Sequence, residues 1–196
     1  MEIESQKGKV FTLVRHGTTH LNVQGKLRGW HDVSLDENGL REAEELGLAL
    51  IDKGIECIIT SDLLRAQQTA RAITNATGAP IVLVTNILRP WHVGDLTGKD
   101  VLETLPILRE HASDKPDVSL EGGESFNSFR NRFLGGVKEL LKEYEGTHVA
   151  LITHHRGDRT VAAWEATGFA DDLSIDLDVF LQKGIEPATY RHIVTS

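Results

Sequence analysis

Apolar side chains recur along this chain in two rhythms. Short, nearly continuous apolar runs stand at residues 9–15, Ile55–Thr60, Ile81–Val84 and Thr147–Thr153. Such runs, bounded by turn-forming residues, predict strands, and the first is continuous enough in apolar character to be covered on both faces. Between them the apolar positions follow helical spacing. From Glu37 to about Lys53, Leu40, Ala43, Leu46, Leu50 and Ile51 share one face opposite Arg41, Glu42, Glu44 and Glu45, with Asp36 as a cap and Gly54 as the stop. A second helix is expected through Ala76 with Ser61 or Asp62 as its N-cap, and a third from Lys99 to Arg109 or His111 despite Pro106. Residues 124–144 carry Phe126, Phe129, Phe133, Val137, Leu140 and Leu141 on one helical face, and a last helix is expected near Asp158–Glu165, ending at Gly168. Asp171–Leu181 and Ala188–Val194 read as a hairpin or separate strands at a sheet edge, joined through Gly184 and Pro187. Residues 18–36, 85–98 and 113–123 lack a period and read as loops. The first contains Leu21, Val23, Leu27, Trp30, Val33 and Leu35, with which to pack down, so it reads as an ordered functional loop.

Strands alternating with helices of this length predict an α/β fold, a three-layer α/β/α sandwich with a mostly parallel central sheet. In such sheets ligands bind beyond the carboxyl ends of the strands. Three chemically rich segments fall just past expected strand ends: Arg15-His16-Gly17, the stretch from Ser61 to Arg65, and Thr153-His154-His155-Arg156-Gly157.

Composition narrows the partner. The 196 residues suit one domain, with its core at about 9–194. A formal charge of -8 excludes general binding to a nucleic-acid backbone, which wants a basic face. A small anion can still bind through a local cluster, and Arg15, Arg28, Arg65 and Arg156 lie close to the histidines in sequence. The single Cys57 cannot form an internal disulfide and reads as a buried small hydrophobe, which suits a reducing compartment. Met1–Lys7 lacks the order of a secretory signal, and no run approaches the ~18 apolar residues needed to cross a bilayer. A cytoplasmic protein without membrane partner is therefore expected. Hydrophobic residues near Val179 and Ile193 could cover either the sheet or a second copy in a homodimer.

Two histidines and several arginines at one sheet edge have a specific chemical use. The planar guanidinium fork matches phosphoryl oxygens, and a neutral imidazole can attack phosphorus and carry it covalently. A metal site is the competing use of the histidines. It is disfavoured because Arg15 beside His16 and Arg156 beside His155 would set cations against a bound cation, and no H-x-x-x-H or His/Cys ligand set is present. No metal and no cofactor are expected.

The chain resembles the histidine phosphatase superfamily, the group that includes the phosphoglycerate mutases. The likeness rests on Arg15-His16-Gly17 continuing through Thr19, Asn22, Gly25, Arg28, Gly29, Asp32, Leu35, Gly39 and Ala43. It continues in Ser61-Asp62-Leu63 with Arg65-Ala66 and Gln68-Thr69-Ala70, in Gly122-Gly123-Glu124-Ser125, and in Thr153-His154. These motifs span about residues 10–157 in the family's order. The resemblance implies that His16 becomes phosphohistidine and that Arg15, Arg65 and His154 hold the phosphoryl oxygens. Asn22 would add a hydrogen bond to the phosphate. Glu124 would position substrate or orient an arginine at the rim, or simply satisfy free N–H groups at a helix start.

Two positions depart from the family pattern. Where members usually carry a glutamate that protonates the leaving oxygen, this chain has Pro90 within Leu88–Gly98. Asp95, His92, His155 and Asp158 are the groups that could substitute, and Asp95 is the expected acid, against its alternative reading as a turn residue. The second departure is His155, where the family has glycine, with Arg156 adding charge at the pocket mouth. The expected function is hydrolysis of a small phosphorylated metabolite through His16, without metal. The alternatives are a mutase-type phosphotransferase and a catalytically weak phosphate-binding or interaction module.

Overall fold

A computed structural model of the chain describes residues 10–144, 146–182 and 186–194. Residue 9, expected to begin the first strand, Gly184, expected in the last turn, and Met1–Lys7 lie outside them. Five strands make one sheet: β1 (Val10–Arg15), β2 (Cys57–Ser61), β3 (Ile81–Thr85), β4 (His148–Thr153) and β5 (Tyr190–Val194). Their order is β3-β2-β4-β1-β5. All neighbours run parallel except β5, which pairs antiparallel with β1. The register sets Arg15 beside Thr153, so β1 and β4 end together at the middle of the sheet.

The two faces follow from the strand period of two. Phe11 and Leu13 of β1, with Val149 and Leu151 of β4, point into the larger core, which holds Phe126, Phe129, Phe133 and Trp91. Val14, Ala150 and Ile152 point the other way, against Leu46, Ala66, Ala70 and Ile73. Two helices, α2 (Glu37–Ala49) and α3 (Leu64–Thr77), cover the second face; α5 (Phe126–Glu143) and α6 (His155–Glu165) pack on the first. The sheet is thus sandwiched between helical layers, as the alternation of periods predicts.

Several local expectations change in the folded chain. The stretch 18–36 contains a short helix, α1 (His20–Val23), whose capping box joins Thr19 and Asn22. Helix α3 begins one residue past the expected caps, with Leu63 at the cap position and no side-chain cap of its own. Asp32, from the distant loop, accepts the N–H of Leu64 at 2.7 Å instead, while Asp62 turns outward to pair with Arg89 at 2.6 Å. Helix α4 (Val101–Ser113) starts from an Asp100 cap and runs past His111. The expected strand within Asp171–Leu181 is instead a helical turn, α7 (Leu177–Phe180). Asp176 caps it by accepting from Val179, and Phe180 is buried in the larger core. Helix α6 starts at His155, three residues earlier than expected, because the backbone turns helical directly after β4.

Two glycine contacts fix the loops that surround the strand ends. A side chain on Gly17 would meet the Gly39 carbonyl at 2.5 Å, so the first turn is pressed onto the start of α2. A side chain on Gly123 would meet the His92 carbonyl at 2.4 Å, which holds the 120s loop on the 90s loop. Phe133 is fully buried in the larger core, whereas Leu102 is 78% exposed. Phe133→Ala is expected to cost about 3–5 kcal/mol of stability, and Leu102→Ala to stay within about 0.5 kcal/mol, as read by denaturant midpoints.

Candidate active site

Three strand ends deliver the polar cluster. β1 supplies Arg15 and His16, β4 leads into His154, and β2 leads through Ser61 into the first turn of α3, which carries Arg65. His16, Arg65 and His154 are each less than 4% exposed, so the contacts between them are made out of water. The Nδ1–H of His16 donates to the carbonyl of Gly17 at 2.6 Å. That bond fixes the tautomer and leaves Nε2 with its lone pair. Nε2 receives a hydrogen bond from Nε of Arg65 at 3.3 Å. Burial, then the charges of Arg65, Arg28 and Arg15, push the His16 imidazole well below the usual histidine value, so it is neutral and nucleophilic at neutral pH.

Arg65 is held from behind. Its terminal nitrogens donate to the carbonyls of His31 at 2.9 Å and Gly29 at 3.0 Å. Thr69, one turn further along α3, donates to the Arg65 carbonyl and accepts the N–H of Gly17 at 3.2 Å. His154 stands edge-on to His16, with ring centroids 5.1 Å apart. Its Nε2 is 2.9 Å from the hydroxyl of Ser61. Its Nδ1 is buried with no hydrogen-bond partner among the described residues. Burial and then Arg65 lower its basicity well below the ordinary value.

The cluster opens into a cavity of about 470 Å³. Arg15, Lys26, Arg28, Arg65, Arg109, Arg156 and Arg159 line it, and Asp100 is the one carboxylate among its lining residues. Pro90, Trp91, Leu105, Leu108 and Phe180 give it apolar walls. Asn22 also lines it; the side-chain oxygen accepts from the N–H and hydroxyl of Thr19, which leaves the NH₂ as the group for a ligand. Burial, followed by Arg65, Arg15 and Arg156, lowers the Arg28 guanidinium to about 9. It remains a cation at neutral pH, but an electrostatically stressed one. Among the described residues no three metal-ligating side chains cluster, and no helix is long and apolar enough to cross a membrane.

The sequence-predicted rim residues divide. His155 and Arg156 line the cavity with the central group. Asp95, the expected proton donor, is exposed, lies against Gly122 and is not among the lining residues. The clamp between the 90s and 120s loops turns it aside: its N–H donates to the Glu121 carbonyl at 2.9 Å. His92 also lies outside the lining, with its ring 4.3 Å from that of Trp30. Glu124 accepts the His92 N–H at 2.8 Å and pairs with Arg132 at 2.8 Å, so it orients an arginine. That arginine in turn donates to the carbonyls of Ile87 and Pro90. Asp158 is buried in a 2.7 Å pair with Arg191.

Ser61 behind His154, Thr69 behind Gly17, and the lining cations Lys26, Arg109 and Arg159 were not singled out for these places by sequence reasoning. For Arg159 a signal existed, because Arg156 and Arg159 stand three apart at the start of one helix and such residues share a face.

A family model, the histidine phosphatase superfamily (branch 1), matches residues 11–172. The chain belongs to the histidine phosphatase superfamily. A metal-independent phosphoserine phosphatase of Arabidopsis thaliana is 31% identical over 163 residues, 79% of this chain and 67% of that protein. Phosphoserine phosphatase 1 of Hydrogenobacter thermophilus is 28% identical over 185 residues, 92% of this chain and 84% of that protein. Among solved structures, a mycobacterial glucosyl-3-phosphoglycerate phosphatase in complex with VO3 has a TM-score of 0.76 at 26% identity, covering 94% of this chain and 92% of that one. The chain spans about two thirds of the length of several curated relatives it matches. This histidine phosphatase has the phosphoglycerate mutase-like sandwich, and its family membership makes it an enzyme of the phosphoric monoester hydrolase type.

The second histidine of the rim gives a pH signature. Burial, then Arg15 and Arg156, push His155 down to about 3. Below the ordinary value near 6.5 the unfolded chain takes up this proton and the folded chain does not, so its contribution to stability is lost as pH falls. Between about pH 6 and about pH 4 the unfolding free energy of the wild type is expected to fall more steeply than that of His155→Asn, by about 1 kcal/mol per pH unit. Parallel slopes in chemical denaturation would refute this.

Proposed function

We propose that this histidine phosphatase hydrolyses a small phosphorylated metabolite through a phosphohistidine formed on Nε2 of His16, without a metal ion. The observation that carries the reading is the locked, neutral His16 ring, with its Nδ1–H on Gly17 and its Nε2 facing the Arg65 guanidinium. Arg15, Arg65, His154 and the amide of Asn22 hold the three non-bridging phosphoryl oxygens. Their fixed dipoles and charges stabilise the charge that develops on those oxygens during transfer. Nε2 bonds to phosphorus as the bond to the leaving oxygen breaks. Water then attacks phosphorus, the P–N bond breaks, and the electron pair returns to His16 as inorganic phosphate departs. The relatives named for phosphoserine and glucosyl-3-phosphoglycerate support a small metabolite as substrate.

The leaving group is the distinctive part. Pro90 stands where a proton donor is usual, and its side chain can neither donate nor accept a proton. Asp100, the lining carboxylate, accepts the N–H of Leu102 at 2.9 Å and lies 3.9 Å from Lys26, which commits it to capping α4. The leaving oxygen therefore departs without a positioned carboxylic acid, and substrates with weakly basic leaving groups are favoured.

His16→Ala is expected to reduce turnover of p-nitrophenyl phosphate by about 10⁴-fold or more, and acid-quenched wild type to carry label on His16 that is released to water. Alkyl phosphates are expected to react about 10²–10⁴-fold more slowly than p-nitrophenyl phosphate. Equal rates on both esters would remove the acid-free reading. Label that persists on His16 without release would favour a phosphotransferase, and absence of both label and turnover would favour a binding module. Chelator treatment is expected to leave rates unchanged.

A further inference from the structure

The phosphoryl group does not use all the positive charge that the cavity presents. Arg65 is tied to His16 and two carbonyls, and Arg159 donates to the Phe180 carbonyl. Two lining guanidiniums differ from these. Among the described residues neither Arg28 nor Arg156 makes a side-chain hydrogen bond or an ion pair. Arg156 instead lies over the ring of Trp91, its central carbon 5.7 Å from the ring centroid. It sits on the second residue of α6, two positions past His154.

The surroundings make this unpaired state costly. Burial and then Arg159 lower the Arg156 guanidinium to about 10, and Arg28 is lowered by burial with Arg65, Arg15 and Arg156 behind it. A chain with a formal charge of -8 has carboxylates to spare, yet Asp100 alone lines this cavity and it is committed to α4. A guanidinium kept half-buried without an anion pays desolvation with no return. An anion from solution supplies the missing partner, and the planar fork of each arginine suits two oxygens of one carboxylate or phosphate.

Resting on the phosphatase reading above, we infer that the substrate carries a second anionic group, a carboxylate or a second phosphate, bound by Arg156 and Arg28 while its transferable phosphoryl sits at His16. The apolar side chains of the lining that keep exposed surface, Leu27, Leu102 and Leu105, face the part of the molecule between the two anions. Arg109, exposed at the rim, adds attraction during entry. Neutral His155, between these cations, contributes polarity and bulk but no charge.

Binding to non-hydrolysable phosphonates tests this without needing turnover. Titration calorimetry on the full chain would compare alkylphosphonates with ω-phosphonoalkanoates and α,ω-bisphosphonates of matched chain length, over a ladder of spacers. At the spacer that fits, one of the two doubly anionic series is expected to bind about tenfold or more tighter than its alkyl counterpart. Which series gains identifies carboxylate or phosphate as the second group. Arg156→Gln and Arg156→Met are each expected to reduce the gain below about threefold. Absence of a gain at every spacer in the wild type overturns the inference, as does a gain that survives in either Arg156 variant. The phosphatase reading fails on a different result, the lack of p-nitrophenyl phosphate turnover by wild type, which leaves the ladder readable.

Discussion

The contact on which the rest of the site depends is the one from Nε of Arg65 to Nε2 of His16. An arginine donating to an imidazole holds that ring neutral, because a protonated ring has no lone pair to accept with and would face a like charge. The same guanidinium ties the 29–31 loop to the start of α3 through two carbonyls. One side chain therefore adds to burial in keeping the His16 ring neutral and closes the loop that walls the cavity. The Gly17 turn completes the arrangement, since its carbonyl accepts the single N–H of the neutral ring, on Nδ1, and its backbone lies against Gly39.

This arrangement gathers positive charge in a buried place, and the fold accepts the cost. Burial lowers the basicity of both Arg28 and Arg156, and neighbouring cations add to it: Arg65, Arg15 and Arg156 act on Arg28, and Arg159 on Arg156. The carboxylates that might have neutralised them are used for structure. Asp32 caps α3, Asp100 caps α4, Glu124 holds Arg132 and Asp158 holds Arg191. Electrostatic stress confined to a cavity is relieved by a bound anion, which couples stability to ligand occupancy. It also sharpens the role of the missing acid: the cavity is built to accept negative charge at several points and to supply protons at few.

Much of this was legible before folding. The strand runs, the helix faces of Phe126, Phe129 and Phe133, and the places of Arg15, His16, Arg65 and His154 past strand ends follow from spacing and from the topology of parallel sheets, while their convergence on one cavity is set by the fold. Asp95 shows where such reading stops. It lies five residues from Pro90 in the chain, but the backbone contact between the 90s and 120s loops turns it outward. The Leu177–Phe180 segment shows the same limit, since its apolar content fits a strand or a helix, and a cap from Asp176 with burial of Phe180 selects the helix.

The amino-acid sequence by itself determined the layered fold and the place of Arg15-His16-Gly17 past a strand end, because these depend on local periodicity, whereas the nucleophile expected at His16 and the proton donor expected at the place of Pro90 are what the family resemblance implies. Only the tertiary structure decided which polar groups are already spoken for. Glu124 and Asp158 are spent on arginines at other places in the fold, while Arg28 and Arg156 keep free guanidinium faces toward the cavity. Hydrogen bonds and ion pairs between residues distant in the chain are settled by packing, and no spacing rule records them. That division is why the segments that build the cluster could be read along the chain, while the unpaired guanidiniums of Arg28 and Arg156 came into view only when the chain was folded.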